Sequence, residues 1–174
     1  MNAGRIGRAI LFAAALTACS TETEIQTQST YTGNEISYPL ESASVYNMSG
    51  TVTFRERVGG TTDVTINLVG NTGTDAKLPV HLHLGDVSEE DAYVAALLQP
   101  VDDRTGRSET HLERLANETP IRYADLKNLD ACIKIHLSAT GEGSKIILAA
   151  GNIGSAALAA NPAGRRSIGI CRSE

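Results

Sequence analysis

The stretch PVHLHL, residues 79–84, decides the fold of this chain, because apolar and polar side chains alternate along it. In an extended strand successive side chains point to opposite faces, which places Val80 and Leu82 on one face. His81 and His83 then lie together on the other face, with Cα atoms roughly 6.5–7 Å apart. The pattern predicts a β-strand that buries its aliphatic face. Its two imidazoles either share a metal ion or line a polar outer surface.

Similar short runs lie on both sides of this strand and predict further strands. Gly59 and Gly60 separate two alternating runs and predict a β-hairpin. Residues 92–98 also fit a short helix, but their short length and the Pro100 that follows favour a strand. Pro39 places the first strand at a sheet edge, because proline cannot donate a backbone hydrogen bond. The predicted strands, besides 79–84, are 37–46, 52–58, 64–68, 92–98, 107–115, 131–137 and 146–153.

The strand pattern predicts one all-β domain. Apolar residues at helical spacing predict a single short helical connection within residues 121–129. Seven to eight short strands of this kind are typical of a Greek-key β-sandwich or barrel. The chain has 174 residues, of which 41% are hydrophobic, enough for one domain with its own core. Its formal net charge is −5 and it has no basic cluster, so we expect no nucleic-acid partner.

The first residues have the organisation of a bacterial lipoprotein signal. Arg5 and Arg8 precede the apolar run ILFAAA, which is too short to span a membrane. The sequence LTAC at 16–19 resembles a lipobox, in which cleavage precedes the cysteine and the cysteine is acylated. We therefore expect a signal peptide at residues 1–18 and contact with the lipid bilayer through acylated Cys19. This predicts a bacterial cell-envelope location, at the periplasmic or outer-membrane face. The alternative is an ordinary secretory signal with a coincidental cysteine.

The rest of the chain divides into three parts. Residues 19–35 are rich in Thr, Ser, Gln and Glu and predict a flexible tether, because they cannot bury enough apolar surface to fold. The folded domain is predicted at 36–154. The C-terminal extension at 155–174 begins with a small-residue run, 155–160, that predicts a short helix, and 167–171 predicts an added edge strand.

The strand at 131–137 supplies a third histidine. Its alternation directs Ile133 and Ile135 towards the core and His136 to the opposite face. If this strand lies beside the 79–84 strand, His81, His83 and His136 form a cluster on the outside of the domain. Three neutral imidazoles suit copper, zinc or nickel. The alternative is a set of surface histidines bonded to backbone or carboxylate groups.

Two other groups of residues are weaker candidates. Cys132 and Cys171 either form a disulfide in an oxidising compartment or remain free, buried thiols. Cys132 is not expected to join the metal ligands, because it lies roughly 13 Å along the strand from His136. His111, flanked by Glu109 and Glu113, is expected to be solvent-exposed rather than a ligand. No nucleophile elbow, P-loop or dinucleotide fingerprint is present, so no catalytic set is predicted.

The order of three motifs resembles the chordin-type (CHRD) domain family. These are VHLHLG at 80–85, KIH at 134–136 and GNIG at 151–154. They stand where the family has an Ala-His-Ile-His-like motif, a later Val-His element and a closing Gly-x-Ile strand. The chain looks most like bacterial CHRD-like lipoproteins. This resemblance implies an extracytoplasmic β-sandwich whose biochemical role is largely undefined.

A second resemblance is to copper–zinc superoxide dismutase. GTVTF at 50–54 looks like that family's opening strand, and the His81/His83 strand is similar to its copper-binding strand. Ile135-His136 is similar to its late copper-ligand strand. The chain departs from the family in having no bridging histidine and no histidine-rich zinc loop between 84 and 130. The fold expected from the two resemblances is superoxide-dismutase-like or immunoglobulin-like.

Two functions are consistent with these features. One is a membrane-anchored, non-enzymatic binding or envelope-associated module of the CHRD type. The other is a copper-binding protein that uses His81, His83 and His136, with superoxide-dismutase-like chemistry if it is an enzyme.

Overall fold

The computed structural model describes residues 29–160, and all of its extended structure belongs to one set of antiparallel strands. Two short α-helices, α1 (Tyr123–Leu126) and α2 (Gly154–Ala160), and a 3-10 turn at Glu142–Lys145 complete the described part. The strands are β1 (Tyr31–Ser42), β2 (Ser49–Arg57), β3 (Thr62–Val69), β4 (Lys77–Leu84), β5 (Val94–Asp102), β6 (Arg107–Leu112), β7 (Asp130–His136) and β8 (Ile147–Ile153).

The eight strands close into a barrel in the order β1-β2-β3-β6-β5-β4-β7-β8. Strands β4, β5 and β6 are neighbours in sequence, and β7 returns to lie beside β4, which makes a Greek key. The Greek-key all-β prediction is therefore confirmed, and the barrel is the form adopted. This connectivity is what brings the histidine strand β4 against β7.

The barrel core is aliphatic, because the chain has no Trp and only two Phe. Tyr38 packs edge-on against Phe54, with ring centroids 6.1 Å apart. Burial of this apolar surface is the main source of stability in a domain of this kind. The largest fully buried side chains are Phe54, Leu40, Ile66, Leu82, Ile133, Ile135, Leu148, Ile153, Val52, Val64, Val80 and Val101.

The barrel closes where β8 meets β1. Only two residue pairs join these strands, Glu41 with Ala150 and Ser42 with Ala149. Gly151 lies against the carbonyl oxygen of Pro39, at a distance that a Cβ atom would not fit. The closure therefore depends on a glycine that permits two backbones to approach closely.

A buried carboxylate fixes the loop that leads into β4. The Asp103 side chain is 1% exposed and accepts hydrogen bonds from the backbone N–H groups and hydroxyls of Thr72 and Thr74, at 2.5 to 3.0 Å. Burial alone would raise the pKa of Asp103, but these four hydrogen bonds outweigh it and lower the pKa to about 2. The loop before β4 is thus held by an ionised side chain.

Most predicted elements are confirmed. Phe54 pairs with Val64 in the hairpin around Gly59 and Gly60, whose φ angles of 103° and 87° only glycine adopts readily. Residues 92–98 belong to strand β5, and the predicted helices are α1 and α2, although α1 is shorter than the predicted range.

Three details of the prediction are wrong. Strand β1 begins at Tyr31, so the folded domain starts before residue 36 and the tether predicted at 19–35 ends earlier. The barrel gives β1 a neighbour on each side, so Pro39 does not mark an edge strand. Strand β5 continues past Pro100, because a register shift opposite Leu78 and Val80 accommodates the proline.

Several predictions concern residues outside the described range. These are the signal peptide at 1–18, the lipidated Cys19, the edge strand at 167–171 and the disulfide partner Cys171. They stay predictions.

Candidate metal centre

The pairing of β4 with β7 aligns the strands that carry the histidines. Val80 is opposite Ile135 and Leu82 is opposite Ile133, and all four side chains are almost fully buried in the core. Because side chains alternate along a strand, the histidines project from the outer face of the barrel. The outward direction predicted from the alternation is therefore confirmed.

The three histidines meet on this outer face. One ring nitrogen from each of His81, His83 and His136 lies within 4.8 Å of those of the other two. The ring centroids of His81 and His136 are 4.6 Å apart, and His83 lies 5.7 Å from His81 and 6.2 Å from His136. The juxtaposition predicted for β4 and β7 is confirmed as a geometric cluster.

Two irregular segments cover the cluster. His83 Nδ1 lies 2.8 Å from the carbonyl oxygen of Ala92, in the segment between β4 and β5. His136 Nδ1 lies 2.7 Å from the carbonyl oxygen of Ser144, in the 3-10 turn. These contacts leave His83 6% and His136 8% exposed, while His81 is half-buried. The alternative of surface histidines bonded to backbone stays open: His83 and His136 do bond to backbone carbonyl groups, although both residues are buried.

The backbone contacts fix the tautomer of both buried rings. A carbonyl oxygen only accepts hydrogen bonds, so Nδ1 of His83 and of His136 must carry the proton and donate it. The lone pair of each neutral ring is then on Nε2. Both Nε2 atoms are buried and have no hydrogen-bond partner among residues 29–160. Unpaired buried acceptors are rare and costly in folded proteins, and here two of them occur in one cluster.

The surroundings keep the rings neutral. Burial lowers the pKa of His81 to about 4, with repulsion from His136 and His83 as smaller causes. Burial also lowers the pKa values of His83 and His136, against the opposing effect of their backbone hydrogen bonds. Neutral imidazoles are the form that binds a metal ion.

The ligand set fits a transition-metal ion with a modest adjustment. Tetrahedral nitrogens at about 2.0–2.1 Å from zinc are about 3.4 Å apart, compared with the 4.8 Å limit of this cluster. Side-chain rotations that move each ring by about 1 Å would close the difference. The Nδ1–H···O=C bonds already supply the outer contacts that orient metal-binding histidines. No cysteine or carboxylate of residues 29–160 joins the group.

Cys132 lies beside the cluster without belonging to it. It is opposite His83 in the β4–β7 register and is fully buried. Burial raises the pKa of its thiol to about 11, which opposes the thiolate form needed for metal binding. Within residues 29–160 it is a free cysteine.

His111 belongs to a different network. Its Nδ1 is 2.6 Å from Asp63 Oδ1, and its Nε2 is 3.0 Å from Glu113 Oε1. The buried Asp63 carboxylate also accepts hydrogen bonds from the Tyr31 hydroxyl at 2.6 Å and from Arg57 at 2.7 Å. This network joins strands β1, β2, β3 and β6, whereas the three-histidine cluster is on β4 and β7. The location of His111 is consistent with the expectation that it is not a ligand of the cluster.

Sequence reasoning did not assign a role to three buried charged groups, Asp63, Lys134 and the Asp103 carboxylate described above. Lys134 is on the same outer face as the histidines and is 5% exposed, and Asp63 is 3% exposed. Lys134 was visible in the alternation of the 131–137 run, whereas no local signal marked the long-range partners of Asp63.

Comparison with known proteins gave no match: no family model, no curated protein and no solved structure matches this chain. The likenesses to CHRD domains and to copper–zinc superoxide dismutase therefore rest on the short motifs alone. No helix among residues 29–160 is long and apolar enough to cross a membrane.

Proposed function

We propose that this protein binds one copper or zinc ion through His81, His83 and His136, as a non-enzymatic binding domain of the cell envelope. The observation that supports the proposal best is the pair of buried Nε2 atoms of His83 and His136, which have no hydrogen-bond partner within residues 29–160. Both rings are already oriented by backbone carbonyls, and the third ring, that of His81, is half-buried.

The donor set favours a transition-metal ion such as copper or zinc over calcium or magnesium. Imidazole nitrogens suit these metals, whereas calcium and magnesium require oxygen ligands. Copper(II) forms the most stable complexes of the divalent first-row ions with such ligands. The absence of a carboxylate from the described cluster is a further reason to expect a nitrogen-binding metal.

Metal analysis of the purified protein tests this proposal. We expect one equivalent of copper or zinc in the wild-type protein and loss of that metal in the H81A/H83A/H136A variant. Replacement of His111 by Ala is the matched control, since that ring is bonded to Asp63 and Glu113 outside the cluster. Wild-type protein that stays metal-free under copper- and zinc-replete conditions would refute the proposal.

The envelope location rests on the lipoprotein-like N-terminus. Acylation of Cys19 would anchor the domain to the lipid bilayer, because several acyl chains bind much more firmly than one. The Cys19→Ser change is expected to release the protein from the membrane fraction. Unchanged membrane fractionation would count against the anchor without affecting the metal proposal.

A superoxide assay on the copper-loaded protein separates binding from catalysis. The proposal of a binding domain predicts no dismutation beyond that of free copper at the same concentration. Activity that depends on the three histidines would instead favour the dismutase-like alternative implied by the second resemblance.

A further inference from the structure

We infer that Lys134 makes the three-histidine site select a monovalent metal ion, copper(I), over divalent ions. This inference rests on the proposed function, because it concerns the charge of the ion that the same site accepts. It assigns to Lys134 the role of a specificity-determining residue that does not bind the metal.

The β-sheet register places Lys134 directly beside the ligands. Lys134 is opposite His81 in the β4–β7 pair and opposite Ala150 in the β7–β8 pair. On its own strand the next residue on the same face is His136. Opposite residues in antiparallel strands have Cβ atoms about 4.5–5.5 Å apart, so the Lys134 stem runs alongside two of the three ligands.

The ammonium group of Lys134 is held in place by a backbone carbonyl group, and no carboxylate of the described part of the chain forms an ion pair with it. The side chain is 5% exposed, and its ammonium donates a hydrogen bond of 2.5 Å to the carbonyl oxygen of Glu89. The nearby Asp86 carboxylate accepts hydrogen bonds from the backbone N–H of Ser88 and from Asn152; these bonds lower its pKa most, and the charge of Lys134 contributes less. Salt screens such a buried charge less than an exposed one.

The ligands do not compensate for this charge. Sites for divalent ions commonly include carboxylates or thiolates, which offset the charge of the ion, whereas three neutral imidazoles contribute none. The repulsion between Lys134 and a bound ion grows in proportion to the charge of that ion. At an effective dielectric constant of about 20 and a separation on the order of 8 Å, one additional unit of metal charge lowers the binding constant by a factor of roughly thirty.

Copper(I) and zinc(II) provide the sharpest comparison, because both ions have a filled d shell and differ chiefly in charge. Each affinity is measured by competition with a chromophoric chelator, for wild-type protein and for Lys134→Met, which keeps an aliphatic stem. We expect the zinc affinity to rise at least tenfold more than the copper(I) affinity when the charge is removed. Lys77→Met is the matched control, because Lys77 is on β4 but is exposed and paired with Asp102. It should change neither affinity by more than about twofold.

A second measurement, the reduction potential of the bound copper, uses the wild-type protein and needs no variant. Preferential stabilisation of copper(I) raises the one-electron potential of the bound copper, by about 59 mV for each tenfold preference. We expect the wild-type protein to have a higher potential than copper bound by free imidazole. An equal or lower potential would overturn the inference.

The outcomes distinguish this inference from the proposed function. Wild-type protein that binds neither ion, or binds without dependence on His81, His83 and His136, refutes both. Histidine-dependent binding in which Lys134→Met changes the copper(I) and zinc(II) affinities equally refutes the inference alone. A selective rise in zinc affinity, absent from Lys77→Met, supports it.

Discussion

Replacement of Asp103 by Asn should destabilise the barrel. The size of this loss of stability follows from the hydrogen bonds that the Asp103 carboxylate accepts. The pKa of Asp103 falls from its ordinary value of 3.8 to about 2, a difference of nearly two pKa units. At 1.36 kcal/mol per pKa unit, ionisation of this carboxylate stabilises the folded state by about 2 kcal/mol. The Asn side-chain NH₂ group would face the N–H and O–H donors of Thr72 or Thr74. We therefore expect the free energy of unfolding to fall by about 2–4 kcal/mol at neutral pH.

The pH dependence of this loss is the sharper part of the prediction. Because the folded-state pKa is lower than the unfolded one, the stabilisation is present above pH 3.8 and is lost as the pH falls from about 4 to about 2. The stability difference between wild-type and Asp103→Asn protein should therefore narrow over that window.

Urea unfolding at pH 7 and at pH 2.5 measures both effects. Asp91→Asn, at an exposed loop position, is the control and should stay within about 0.5 kcal/mol of the wild type. A loss below about 0.5 kcal/mol for Asp103→Asn at pH 7, or a loss of equal size at both pH values, would refute the reasoning.

Two further predictions concern other parts of the barrel. Gly151→Ala should cost about 1–3 kcal/mol in urea unfolding, because its Cβ would overlap the Pro39 carbonyl oxygen at the β8–β1 closure; unchanged stability would show that the closure tolerates a side chain. His111 should titrate above its ordinary pKa of 6.5 in an NMR experiment, because the hydrogen bond to Asp63 and then that to Glu113 favour its charged form. Its contribution to stability is present below pH 6.5 and is lost as the pH rises through the raised pKa, so a pKa at or below 6.5 would contradict this assignment.

The histidine cluster was predictable from sequence as far as side-chain direction. The period of two directed His81, His83 and His136 away from the core, because the aliphatic residues between them had to be buried. The sequence pattern did not predict that β4 and β7 are neighbours. These strands are far apart in sequence and become neighbours through a Greek-key crossover. Strand order depends on long-range packing, which the local alternation of side chains does not reveal.

The burial of the cluster was beyond sequence reasoning for a different reason. The carbonyl groups of Ala92 and Ser144 belong to the backbone of irregular segments, and any residue type supplies the same carbonyl. No side-chain pattern therefore marks the contacts that fix the histidine tautomers. The same holds for Asp103. The sequence predicts the turn that contains it, but its four hydrogen bonds with Thr72 and Thr74 depend on the path of a preceding loop.

The most direct test of the three-histidine site is a zinc titration of 15N-labelled protein observed through the imidazole nitrogens. We predict that the Nε2 resonances of His83 and His136 shift together with one ring nitrogen of His81 and stop changing at one equivalent. Their Nδ1 atoms should remain protonated throughout, because each donates to a backbone carbonyl. Histidine resonances that do not change on addition of zinc, or a shift confined to His111, would contradict the assignment of the site.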